Sequence, residues 1–325
     1  MNVLVTGANG LLGHHVVMEL LKNKHSVQII VRSCHHIFFD LQAVTVFEGD
    51  FTDDKTLAQA ATGCDAIIHI AAVTATNLLT LDDYRKINVE GVSQVIQVAQ
   101  DLDIRTIVYI SSANSIGYGT KQYPADEHAD IQYPFTNSFY AQSKAESEQL
   151  MLEASKKPDR HIITINPTFM LGPYDTKPSS GKLLLMGYKR KLMLLPGGGK
   201  NFVDVRNVAV ATCHALTRGR NGERYLASGI NLSFKDYYTC QKEVGKYYQK
   251  IVVLPDFIWL LIGKAGDMLR MLGIKTDLGS INLRQLLLQE YYRNQKAKNE
   301  LNLPDTELKV TIKEAINWFI HQKMA

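Results

Sequence analysis

The sequence predicts an α/β protein: a doubly wound parallel sheet followed by a smaller, mostly helical C-terminal lobe. Three observations carry this. Short apolar runs alternate with helical patterns through the N-terminal half. A glycine-rich turn follows the first of those runs. After Pro167 the alternation stops, and segments punctuated by Pro and Gly lead to helical patterns from Phe257 to the end.

Each element has its own signal. Apolar runs place strands at 2–6, 27–31, 44–47, 66–70, 106–111 and 162–165. They are continuous rather than alternating because a parallel sheet is covered on both faces. Leu11, Leu12, Val16, Val17, Leu20 and Leu21 recur at helical spacing and mark the first helix. Further helices are expected at 53–61, 81–102 and 138–157. The run at 224–227 reads as a return to the sheet. The expected division is 1–167 for a nucleotide-binding domain and 168–325 for a substrate lobe that partly rejoins the sheet around 200–228.

Composition narrows the class. With 325 residues, 46% of them apolar and 21% charged, the chain suits two globular lobes. A net charge of +4 without a basic stripe argues against a nucleic-acid binder. Cys34, Cys64, Cys213 and Cys240 are scattered, as in a reducing compartment, and no metal set is expected from Cys34-His35-His36. The run Phe257–Ile262 is too short to span a bilayer. The first strand begins at Asn2 and leaves no room for a leader, so the expected location is cytoplasmic and without membrane partners.

The turn Thr6-Gly7-Ala8-Asn9-Gly10-Leu11-Leu12-Gly13 carries the first chemistry. Gly7, Gly10 and Gly13 are spaced by three between a strand and a helix. Bare backbone there lets a pyrophosphate approach the free N–H groups of the helix N-terminus. The fold is thus a Rossmann sheet for NAD or NADP. The second strand ends Val31-Arg32-Ser33, with no acid until Asp40. Arg32 suits a ribose 2′-phosphate, so NADP is expected over NAD. The turn Gly49-Asp50-Phe51 is placed at the adenine, and the small residues Ala71 and Ala72 along the cofactor. His69 reads as a packed strand-end histidine, with a catalytic base as the alternative.

Tyr140-Ala-Gln-Ser-Lys144 puts a phenol and an ammonium four apart on one helix face. The ammonium is expected to lower the phenol pKa and to reach the nicotinamide ribose. Tyr140 would then move a proton at a substrate oxygen while hydride moves at carbon. Ser111 and Ser112, just past the fifth strand, offer a hydroxyl beside it.

With these motifs the chain resembles the extended short-chain dehydrogenase/reductase family, also called NAD-dependent epimerase/dehydratases. The resemblance covers nearly the whole chain, through Thr6–Gly13, Gly49-Asp50, His69–Ala72, Asn88–Gly91, Ser111-Ser112, Tyr140–Lys144 and Pro167–Pro173. It implies a catalytic trio of Ser112, Tyr140 and Lys144. Asn88 would settle the adjoining helix, and Asn166, Pro167, Thr168 and Phe169 would flank the nicotinamide. Where dehydratases of the family carry Thr-Asp-Glu, this chain has Ser112-Ala113-Asn114. Where many sugar-nucleotide epimerases carry arginine, it has Asn166 and Asn201. The stretch Ile165–Pro173 is similar to the dihydroflavonol reductase and 3β-hydroxysteroid dehydrogenase branch. The expected function is an NAD(P)-dependent oxidoreductase of ketones or secondary alcohols. A nucleotide-sugar 4-epimerase and a non-enzymatic dinucleotide sensor are the alternatives. A small-molecule substrate is expected, and a homodimer through helices 81–102 and 138–157. Leu183, Leu184, Met186 and the stretch 257–272 are candidates for an apolar pocket wall, with plain core as the alternative.

Overall fold

A computed structural model describes residues 1–324. Six strands lead the chain: β1 (Asn2–Thr6), β2 (Ser26–Val31), β3 (Thr45–Glu48), β4 (Ala66–His69), β5 (Thr106–Ile110) and β6 (His161–Pro167). Between them lie α1 (Leu11–Lys22), α2 (Asp54–Ala61), α3 (Leu81–Asn88), α4 (Glu90–Asp101) and α5 (Phe139–Ser155). The C-terminal part adds β7 (Phe169–Leu171), β8 (Leu192–Leu195), β9 (Gly199–Asp204), β10 (Arg224–Ala227), β11 (Ile230–Ser233), β12 (Lys250–Val253) and β13 (Gln289–Glu290). Its helices are α6 (Gly181–Gly187), α7 (Val205–Arg218), α8 (Phe234–Gly245), α9 (Asp256–Met271), α10 (Ser280–Leu287), α11 (Gln295–Leu301) and α12 (Leu308–His321).

The main sheet has seven strands in the order β10-β6-β5-β4-β1-β2-β3. All of its pairings are parallel. The order reverses between β1 and β4, and this is where a crevice opens at the carboxyl ends of the strands. Two apolar layers cover the sheet. One combines Val3, Val5 and Ile68 with Val16, Val17 and Leu20 of α1 and Val208 and Ala211 of α7. The other combines Leu4, Ile67 and Ile107 with Leu57 of α2, Val92 and Val95 of α4 and Met151 of α5. The strand expectations at 2–6, 27–31, 44–47, 66–70, 106–111 and 162–165 correspond to β1–β6 within one or two residues.

The helix expected over 81–102 is two helices, joined through Val89, which closes α3 and opens α4. Residues 224–227 do rejoin the main sheet, as β10 against β6. Residues 199–204 do not: β9 pairs with β7, β11 and β13 in a second sheet. Within the expected partial return around 200–228, the strand that joins the main sheet is β10. In the outer lobe, Phe202 stacks on Tyr237 with ring centroids 4.5 Å apart, beside Leu184, Ile312 and Phe319. Leu184 is therefore core, whereas Met186 is exposed. Helix α9 is not core either, since Phe257, Leu261, Met268, Met271 and Leu272 are exposed. No described helix is long and apolar enough to cross a membrane.

Candidate active site

The glycine turn is built for close approach. Gly7 has φ +74°, and a Cβ there would stand 2.8 Å from the Ala71 backbone nitrogen. The turn is therefore pressed against the end of β4. At Gly13 a Cβ would stand 2.8 Å from Ala8 Cα, so α1 lies directly on its own turn. Gly10 is different: a Cβ there would meet nothing closer than the Gly7 carbonyl oxygen at 3.3 Å. Gly10 caps α1 without a side-chain hydrogen bond, and the first turn of α1 carries no acid. Asn9 and Leu11 are half-buried beside it, while Leu12 is buried in the core. Bare backbone, free N–H groups and positive dipole together fit a pyrophosphate.

The flanking strand ends are held by hydrogen bonds. Thr6 Oγ1 accepts from the N–H groups of Ile70 and Ala71 at 3.1 and 3.2 Å, and lies 2.8 Å from His69 Nδ1. His69 is fully buried, and burial together with the nearby Lys144 charge pushes its pKa down to about 3. This is the packed neutral histidine of the sequence reading. Asn88 fixes the next stretch. Its Oδ1 accepts the Val73 N–H at 2.8 Å, and its Nδ2 donates to Val73 O and Ser143 Oγ. One amide thus ties the chain after Ala72 to α5.

Past the end of β3, Asp50 Oδ1 accepts from both the N–H and the hydroxyl of Thr52. The Phe51 ring lies 5.3 Å from His69. Arg32 is exposed at the end of β2 and makes no ion pair among the described residues. The segment beyond it is anchored, because His14 Nε2 accepts the Phe38 N–H at 2.7 Å.

Tyr140 and Lys144 sit one turn apart on α5. Lys144 Nζ donates to Ile110 O, the last residue of β5, at 2.7 Å and lies 4.5 Å from the Tyr109 ring centroid. Burial lowers its pKa to about 7, and the Glu148 carboxylate opposes the shift. Burial raises the Tyr140 phenol, and the Ser112 hydroxyl beside it opposes that shift. The expected lowering of Tyr140 by the ammonium is therefore not seen: Lys144 is turned toward the carbonyl of Ile110 and the face of Tyr109. Ser112 Oγ also accepts the Asn114 N–H at 3.2 Å, and Ser111 Oγ lies 3.2 Å from Ser115 Oγ.

Sequence reasoning missed the layer behind these residues. Glu148 is 3% exposed and accepts from Ser115 Oγ and Asn166 Nδ2, both at 2.7 Å, and from Arg224 Nη1 at 3.3 Å. Asn166 Nδ2 also reaches Ser112 O and Ser115 Oγ. The Asn166 amide thus points into the protein; Pro167 and Thr168 follow it at the strand end, with Thr168 Oγ1 donating to Asn201 at 2.7 Å. The spacing of Glu148, four beyond Lys144, was the available signal.

A cavity of about 330 Å³ opens beside Tyr140. Leu78, Leu79, Tyr84 and Phe139 line it from the sheet side, and Asp267, Arg270, Met271 and Ile281 line it from the outer lobe. Of the expected apolar wall at 257–272, the end of α9 reaches this cavity.

The model of the NAD dependent epimerase/dehydratase family matches residues 3–228. The chain belongs to that family. It is an enzyme of this oxidoreductase and epimerase chemistry on a Rossmann sheet, so the sensor alternative is set aside. A putative dihydroflavonol 4-reductase of Synechocystis is 28% identical over 97% of this chain and 93% of the relative. Sterol demethylase protein B of Methylococcus capsulatus is 26% identical over the full length of both. The crystal structure of gox2253 is similar over 99% of this chain and 98% of its own, with TM-score 0.84 and 26% identity. UDP-glucose 4-epimerase of Thermotoga maritima is similar over 99% and 100%, with TM-score 0.78. At 18% identity, that likeness speaks for the fold alone.

Proposed function

We propose that this enzyme interconverts a ketone or aldehyde and a secondary alcohol, with Tyr140 as proton donor and acceptor, Ser112 as hydroxyl partner and Lys144 as the charge beside them. The observation that carries the reading is the gathering of these three side chains at the carboxyl edge of β5 and the start of α5, with a cavity opening from Tyr140. A bound NAD or NADP supplies hydride acceptance or donation at the substrate carbon. The glycine turn at Gly7–Gly13 would hold its pyrophosphate, Arg32 and Asp50 its adenosine end, and Ala71, Ala72, Lys144, Pro167 and Thr168 its nicotinamide end. Arg32 supports NADP as the preferred form.

The roles of the protein groups follow from their surroundings. A half-buried phenol above its ordinary pKa keeps its proton at neutral pH, so Tyr140 is poised to donate to the oxygen of a carbonyl under reduction. In the reverse direction Tyr140 must first have given up its proton, and the alcohol proton then passes to the phenolate oxygen. Ser112 donates to the same substrate oxygen and supports the phenol. Lys144, charged below about pH 7, would hold the ribose hydroxyls of a bound dinucleotide and would stabilise negative charge at Tyr140.

The second reading is a nucleotide-sugar 4-epimerase, which would use the same tyrosine twice and keep its dinucleotide. The family description, which names epimerases, favours it over the reductase. The site favours the reductase at one point. The Asn201 amide, where the resemblance to epimerases calls for a cation, is spent on Gly229, Asn231 and Thr168. Names of relatives spanning the chain also point to the dihydroflavonol reductase and steroid dehydrogenase branch. One experiment separates the two. The purified enzyme is given reduced dinucleotide with a panel of ketones, and separately UDP-glucose alone. Loss of nicotinamide absorbance matched by alcohol formation is expected. Conversion of UDP-glucose to UDP-galactose by a co-purified dinucleotide, without net redox change, would replace the first reading by the second.

A further inference from the structure

We infer that Arg270 selects the substrate, and that the cavity beside Tyr140 takes a molecule with an apolar body and a carboxylate held by the Arg270 guanidinium. The inference rests on the reading above that Tyr140 works at a carbonyl or alcohol oxygen. Arg270 is half-buried near the end of α9 and lines the same cavity as Tyr140. Its Nη2 donates to Leu78 O at 2.7 Å and its Nη1 to Thr276 O at 3.4 Å. Two of five donors are thus spent on carbonyls, and among the described residues no carboxylate stands within ion-pair distance.

The nearby acids are committed elsewhere. Asp267 accepts the Ser280 N–H at 2.9 Å. Asp277 accepts from Thr76 Oγ1 at 2.9 Å and faces Lys182 Nζ at 3.9 Å. A partly desolvated guanidinium without a counter-ion is costly, and its planar fork matches a carboxylate. The rest of the wall combines an apolar part, formed by Leu78, Leu79, Tyr84, Phe139, Met271 and Ile281, with the polar side chains of Thr76, Asn137, Ser138, Asp267 and Asn282. An oxo acid with a hydrocarbon body matches the Arg270 guanidinium and the apolar part of that wall together.

The test uses the full-length enzyme loaded with dinucleotide. Oxodecanoates with the ketone at successive positions, each with its methyl ester, are turned over by wild type, Arg270→Gln and Arg270→Lys. A hydrogen bond to a charged group is worth about tenfold or more in affinity. In wild type kcat/KM for the best acid should exceed that for its ester by about that factor, mainly through KM. The preference should vanish in Arg270→Gln and persist in part in Arg270→Lys. Because Arg270 also holds Leu78, loosening of that loop would lower both substrates together, so the acid-to-ester ratio is the readout. An equal ratio in wild type, or an unchanged preference in Arg270→Gln, overturns the inference. Calorimetry with the corresponding hydroxy acids and their amides gives a readout free of turnover. Preferential binding of the acid that Arg270→Gln abolishes, with no turnover of any pair, keeps the Arg270 contact and overturns the proposed reaction. Equal binding of acid and amide overturns the contact itself.

Discussion

Burial fixes the protonation of Lys144 before any ligand arrives. Its folded-state pKa of about 7 lies below the ordinary lysine value of 10.5. Between those values the unfolded chain holds a proton that the folded chain has released. Stability of the ligand-free protein should therefore rise with pH across that window, and below it the fold carries the full cost of a buried ammonium. The groups facing Lys144 are Glu148, which favours its charge, with Tyr109 and the neutral His69. Chemical denaturation at a series of pH values should show the rise in wild type and a flatter profile in Lys144→Met. Arg32→Asp exchanges attraction for repulsion at a ribose 2′-phosphate, so NADP affinity should fall about tenfold or more while NAD is spared. Calorimetry with both dinucleotides checks it, and a wild type that binds NADP no better than NAD removes the role given to Arg32. Both residues were visible in the sequence, but the direction of the Lys144 contacts was not. A helix spacing of four brings Tyr140 and Lys144 to one face without saying that Ile110 O captures the ammonium.

At the scale of elements, α1 is held against its own turn. A methyl at Gly13 has backbone on its near side, which cannot give way as a flexible side chain can. Gly13→Ala should cost about 1–3 kcal/mol in denaturant unfolding and should also weaken dinucleotide binding, since the turn must open. Asn88 joins two other elements, the stretch after β4 and helix α5. Asn88→Ala leaves the Val73 N–H without its acceptor, at about 1–3 kcal/mol. Hydrogen exchange should show faster exchange at Val73 and its neighbours, with the strands of the main sheet unchanged. The strands of that sheet were legible because both faces are covered and the residues are accordingly apolar throughout. The break between α3 and α4 was not, because Ile87, Val89 and Val92 keep an apolar rhythm across it. The short β7 was hidden for another reason: it continues the run after Pro167 and is defined by its partner β9.

At the scale of the whole molecule, the cofactor turn and the tyrosine lie on the main sheet, while the outer lobe closes the cavity beside them. The first half of that arrangement follows from local signals: three glycines between a strand and a helix, and a Tyr-Lys spacing after the fifth strand. The second half is a meeting of distant segments. Leu78 and Arg270 join residues 192 apart in the chain, and no periodicity reports such a contact. The same holds for β9, whose partners come from β7, β11 and β13. We propose that Tyr140 moves the proton in a cleft whose dinucleotide site is built independently of it. Tyr140→Phe removes one oxygen and none of the glycine turn. The most direct test is turnover of this variant on the best ketone, with dinucleotide affinity measured on the same sample. The expected result is unchanged affinity with turnover lower by about 100- to 10,000-fold. Turnover near the wild-type rate, with affinity intact, would contradict the account and pass the proton to another group.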